Sequence, residues 1–126
     1  MVDCRRRTLH ALDGIEDTHL DALPPGFDNT IGSILYHLAA IEADWLYQDI
    51  LGVDYPDWLG EVFPIDVRDD EGHLGRVRGI TLADHLARLE MVRGHFLAEM
   101  KLLEPGNLDV LRPIDDHEVS PGWVLH

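Results

Sequence analysis

Eight histidines, at positions 10, 19, 37, 73, 85, 95, 117 and 126, are the residues of this chain best suited to bind a metal ion or move a proton near neutral pH. No two of them are three or four residues apart, so no helical turn presents a pair that grips one ion. Spacing alone therefore shows no metal motif. His85 and His95 fall on one predicted helix, too far apart to chelate together, and both read as surface residues. Cys4 is the only cysteine. With no Cys-His pairing near it, it reads as a passive thiol rather than a nucleophile. No Ser-His-Asp order, phosphate-cradling glycine loop or dinucleotide fingerprint is present. Gly72, Gly75 and Gly79 are scattered through a loop and mean only flexibility.

Two residues stand out because of where they fall in a helical pattern. Ile31, Ile34, Leu35, Leu38, Ile41, Trp45 and Leu46 recur at helical spacing. At about 100° per residue they form one arc wide enough to face more than one neighbouring helix. His37 lies on the shoulder of that arc, beside Ile34 and Ile41. A neutral imidazole there can ligate a metal in a bundle interior. The commoner outcome is a core-edge histidine bonded to a carbonyl or water. Glu42 lies near the middle of the arc, where a carboxylate is costly unless paired. Pairing with an Arg or Trp on a facing helix is the preferred reading, ahead of orienting a metal-bound group. Trp45, Trp58 and Trp123 could line a pocket, but aromatics in such patterns read first as core.

The elements that must position these groups are helical. Residues 2–15 form a first helix on the rhythm of Leu9, Leu12 and Ile15, stopping near Gly14. Leu23-Pro24-Pro25-Gly26 is a turn, and Asp28 or Asn29 is a ready N-cap. Residues 30–51 form the strongest helix, closed by Gly52 and Pro56. Residues 52–80 are a long connection, of a length that is uncommon unless it serves a function or contains a short element. Pro56-Asp57-Trp58-Leu59 suits a single helical turn. Thr81, with Asp84 reaching back, caps a helix that runs to about Leu103 and ends at Pro105-Gly106-Asn107. A polar stretch follows. Ser120-Pro121 then opens a fourth helix, and the chain reads as cut inside it.

With 126 residues and 45% hydrophobic content, the chain suits one domain spanning residues 1–126 with its own core. A net charge of −14 repels phosphate backbones and anionic membranes. Nucleic acid and membrane are therefore not expected partners. The N-terminus has no apolar stretch after Arg5-Arg6-Arg7, so no secretory signal is read. With a single cysteine, a reducing, cytoplasmic setting is expected.

The run Asn29-Thr30-Ile31-Gly32-Ser33-Ile34-Leu35-Tyr36-His37-Leu38, continued by Ala39-Ala40-Ile41-Glu42-Ala43-Asp44-Trp45-Leu46, resembles the second-helix signature of the DinB-like superfamily. The matching features are the Asn at the helix start, then the Gly, the His, the Glu and the Trp. The Pro-rich turn, the long loop, the capped third helix and the Ser-Pro-Gly-Trp-Val-Leu-His start of the fourth agree, so the resemblance spans nearly the whole chain. It implies an all-α fold, a four-helix bundle with a long crossover between helices 2 and 3. It also implies that His37 is a ligand to a divalent metal ion, with zinc, nickel and iron equally suited. The other two ligands of the family come from a pair farther along the fourth helix. His126 precedes that pair and is not its match. The resemblance further suggests that Gly32 lets a neighbouring helix approach closely.

The activity implied is that of a metal-dependent enzyme using a low-molecular-weight thiol and an electrophilic substrate, of S-transferase or isomerase type. No catalytic base is identified, and Glu42 is the best positioning candidate. The alternative is a non-catalytic, stress-associated binding or dimerisation module. A homodimer is expected under both readings, because wide apolar arcs leave surface to cover.

Overall fold

A computed structural model of the chain describes residues 2–114 and 117–125. Its elements are α1 (Val2–Ala11), α2 (Asp17–Leu20), α3 (Ile31–Asp44), α4 (Trp58–Val62), α5 (Leu82–Leu102) and α6 (Pro121–Val124). A two-stranded antiparallel hairpin, β1 (Arg112–Ile114) with β2 (His117–Val119), pairs Arg112 with Val119 and precedes α6. The chain is mostly helical, as the residue pattern predicts. The hairpin was not predicted, since its strands are too short and polar to show alternation. No helix among the described residues is long and apolar enough to cross a membrane.

Helix α3 is capped by the Thr30 hydroxyl, which accepts from the Ser33 amide at 3.1 Å. The cap is therefore Thr30, and not the expected Asp28 or Asn29. The helix continues as a wider, π-wound segment over Trp45–Leu51 and closes on Gly52, whose φ of +64° is a left-handed stop. Helix α5 starts at its predicted cap. The Thr81 hydroxyl accepts from the Asp84 amide at 3.1 Å and donates to the Asp84 carboxylate at 2.8 Å. The first helix is shorter than expected, ending at Ala11. Residues 17–20, assigned to no element by the sequence pattern, form α2.

The core lies between α3 and α5. Leu35, Ala39, Leu46 and Ile50 pack with Leu89, Val92 and Phe96, and Leu20 from α2 closes one end. The wide arc predicted for the second helix is only half covered among the described residues. Its other flank, Ile34, Leu38 and Trp45, stays about 40% exposed (42%, 40% and 42%). Trp45 and Trp123, the latter 70% exposed, are thus surface residues and not core.

Gly32 shows why α2 and α5 come so close to α3. A Cβ built there would stand 3.3 Å from both the His85 imidazole Nε2 and the Leu20 carbonyl oxygen. The expected close approach is present. It requires a correction for His85, which is 1% exposed and not a surface residue. The missing side chain of Gly32 makes the space that the imidazole fills, and no pattern within α5 alone reports that. His95 is exposed, as expected.

Candidate functional site

The connection from Gly52 to Ile80 is tied to α3 and α5 by polar contacts. The Tyr36 hydroxyl donates to the Ile65 carbonyl at 2.8 Å and accepts from the Ile65 amide at 3.0 Å. Ser33 Oγ accepts from the Val77 amide at 3.1 Å. Arg88 Nε donates to the Val62 carbonyl at 3.1 Å, and its guanidinium stacks 4.9 Å from the Tyr36 ring centroid. Such contacts turn a long loop into a wall, because each one satisfies a backbone group that would otherwise need water.

Between this wall and α3 lies a cavity of about 830 Å³. Its floor is His37, Ile41 and Asp44 on α3, and its wall includes Tyr55, Phe63 and Arg68. That volume is within the range of small-molecule sites, and the lining has the usual mixture of apolar side chains with a few polar ones. The Tyr55 hydroxyl donates to the Asp44 carboxylate. Burial, followed by that bond, pushes the Tyr55 pKa up to about 12, so the phenol stays protonated and the bond holds one end of the wall to α3.

His37 is the chemically open group of this cavity. Its Nδ1 is buried without a hydrogen-bond partner. Burial, and then the positive charge of Arg68, lowers its pKa below the ordinary histidine value. The imidazole is therefore neutral near pH 7, which is the ligating and proton-accepting form. His37 lines the cavity, and a neutral donor atom left without a partner is what a metal or a ligand hydrogen would use. Among the described residues, however, no group of three or more His, Cys, Asp or Glu is placed to hold a metal ion. The described residues bring His37 to the site without a set of three ligands around it. His126 lies outside the described residues.

Glu42 does not reach this cavity. It is 8% exposed on the other flank of α3, and Arg93 Nε of α5 stands 2.9 Å from its Oε1. The preferred reading, pairing with an Arg on a facing helix, is what the structure shows. Burial raises the Glu42 pKa despite the opposing pull of Arg93. Cys4 is exposed and free. Trp58 stacks on His95 with ring centroids 4.4 Å apart, outside the cavity lining.

Sequence reasoning missed Arg68, Tyr55 and Asp44 as members of the site. Arg68 and Tyr55 come from the long connection, and nothing in their spacing signals which helix they face. The only available hint was that a connection of this length needs a reason. Compared with known proteins, the whole chain, residues 1–126, matches the family model described as the DinB superfamily. No curated protein and no solved structure matches it.

Proposed function

The chain belongs to the DinB superfamily, and on that premise we propose that it is a metal-dependent enzyme acting with a low-molecular-weight thiol on an electrophilic substrate. The observation that carries the reading is His37, whose buried Nδ1 has no partner at the floor of a cavity of about 830 Å³. In this reading His37 is one ligand of a divalent ion, and the described residues do not supply a three-ligand set around it. A bound ion with an open position would favour a thiol as its thiolate, the nucleophilic form. Phe63 and Ile41 would exclude water from the apolar part of a substrate, and Arg68 would face an anionic part. The single cysteine fits a reducing compartment, where small thiols are abundant. The charge of −14 argues against nucleic acid as a partner.

The test is a metal titration of the purified protein with zinc, nickel and ferrous iron, followed calorimetrically, beside the His37→Ala variant. The reading expects one ion per chain for at least one metal and loss of that binding in the variant. Equal binding by both proteins, or none by either, would overturn it. The absence of a three-ligand group among the described residues favours a second reading, a non-catalytic, stress-associated binding module. In that case the cavity takes a small organic ligand without a metal.

A further inference from the structure

Helix α5 has an outward face opposite its core residues Leu89, Val92 and Phe96. In a chain as highly charged as this one, that face should be polar. Its centre is instead Ala87, Met91, Gly94 and Ala98, all exposed, and these residues line one shallow depression. Met91 is 47% exposed, and Leu102, farther along, is 76% exposed. Gly94 sharpens the anomaly. Glycine inside a helix costs about 1 kcal/mol relative to alanine, yet a Cβ built at Gly94 meets nothing within 4 Å. No packing among the described residues requires a glycine there.

The face is also complementary to itself. Counted outward from the Val92–Arg93 bond, Met91 is as far as Gly94, and Ala87 as far as Ala98. Asp84 is likewise as far as Lys101, and Ala83 as far as Leu102. When two identical helices lie antiparallel across a two-fold axis at that bond, each residue meets its counterpart. A large side chain then meets a position with none, small meets small, and an acid meets a base at both ends. Glu90 and His95 flank the face and are already engaged within the chain, Glu90 by Arg5 at 2.7 Å and His95 by its stack on Trp58.

We propose that the outward face of α5 associates with the same face of a second copy of this chain, antiparallel and two-fold symmetric, with Met91 seated against the partner's Gly94. Charge complementarity selects this occupant, because the match of Asp84 to the partner's Lys101 exists only when the facing helix is α5 itself and runs the other way. A contact along one helix falls at the small end of specific interfaces, below about 1,200 Å² in total. The dimer is therefore concentration-dependent.

The test is sedimentation velocity on the full chain over a concentration series, with circular dichroism as the folding control. The wild type is expected to show a monomer–dimer equilibrium. Gly94→Lys and Met91→Glu should each weaken it by about tenfold or more, with helicity unchanged because both positions are exposed and outside the core. A wild type that stays monomeric throughout would overturn the proposal, as would variants that dimerise as well as the wild type. Register is read separately in a Cys4→Ser background carrying Ala87→Cys or Ala98→Cys. On oxidation, the mixed sample should cross-link and each variant alone should not. Cross-linking of either variant with itself would overturn the antiparallel register.

Discussion

Two histidines, His85 and His37, lie on the two long helices of the same core and have opposite surroundings. His85 is 1% exposed. Its ring fills the space left by Gly32, and its Nδ1 stands 3.5 Å from an Arg88 guanidinium nitrogen. His37 is half-buried and lines a cavity, and its Nδ1 meets no partner. Burial lowers the pKa of both, and a nearby arginine adds to the effect in each case, Arg88 for His85 and Arg68 for His37. A lowered pKa therefore does not separate the structural histidine from the open one. The surroundings do, since one ring is used up in packing and the other lines a cavity and has an unpartnered nitrogen.

The comparison is broken most forcefully at Gly32. Gly32→Val drives a branched side chain against the His85 ring and the Leu20 carbonyl, each 3.3 Å from the Cβ position. Overpacking of this kind should destabilise the fold by about 2 kcal/mol, measured by urea denaturation. Little or no change in the denaturation midpoint would show that the α2–α3–α5 junction yields easily.

A smaller effect is expected from pH. Both histidines have folded pKa values below the ordinary 6.5, so the unfolded chain binds protons more readily between that value and the folded ones. Stability should then fall as pH drops below 6.5, without a corresponding change above neutral pH. Glu42 acts in the opposite sense at lower pH, because its raised pKa favours the folded state when the carboxyl is protonated. His85→Gln should flatten most of the histidine-dependent slope, because His85 is the more deeply buried of the two. Thermal melts of both proteins at a series of pH values check this, and an unchanged slope would transfer the effect to His37.

The smallest expected change in stability is at His37 itself. Its side chain is partly exposed and its Nδ1 makes no hydrogen bond, so His37→Ala should shift unfolding by no more than about 0.5 kcal/mol. A loss comparable to that of Gly32→Val would mean that His37 is a packing residue like His85, and the contrast between them would disappear.

Much of this was legible in the residues. Thr81 and Asp84 announce α5, Gly52 ends the helical run from Ile31, and Ser120-Pro121 begins α6, because caps and stops are local chemistry. His37 and Glu42 stand out because one lies on the shoulder and the other near the middle of an apolar arc, and that placement is visible in one helix. Arg93 as the partner of Glu42, and Arg68 and Tyr55 beside His37, were not legible. They come from α5 and the long connection, and their meeting with α3 depends on how those segments are tied down by Tyr36, Ser33 and Arg88.

Sequence periodicity and capping thus determined by themselves that the chain is helical, where its two long helices run, and that His37 and Glu42 fall on or beside the apolar arc of the first of them. A helix's pattern is written every three or four residues, within reach of its own hydrogen bonds. Only the tertiary structure decided that His85 is buried and His37 open, and that Glu42 meets Arg93. Those outcomes depend on contacts between residues tens of positions apart, and such contacts exist only once α3, α5 and the connection between them have packed.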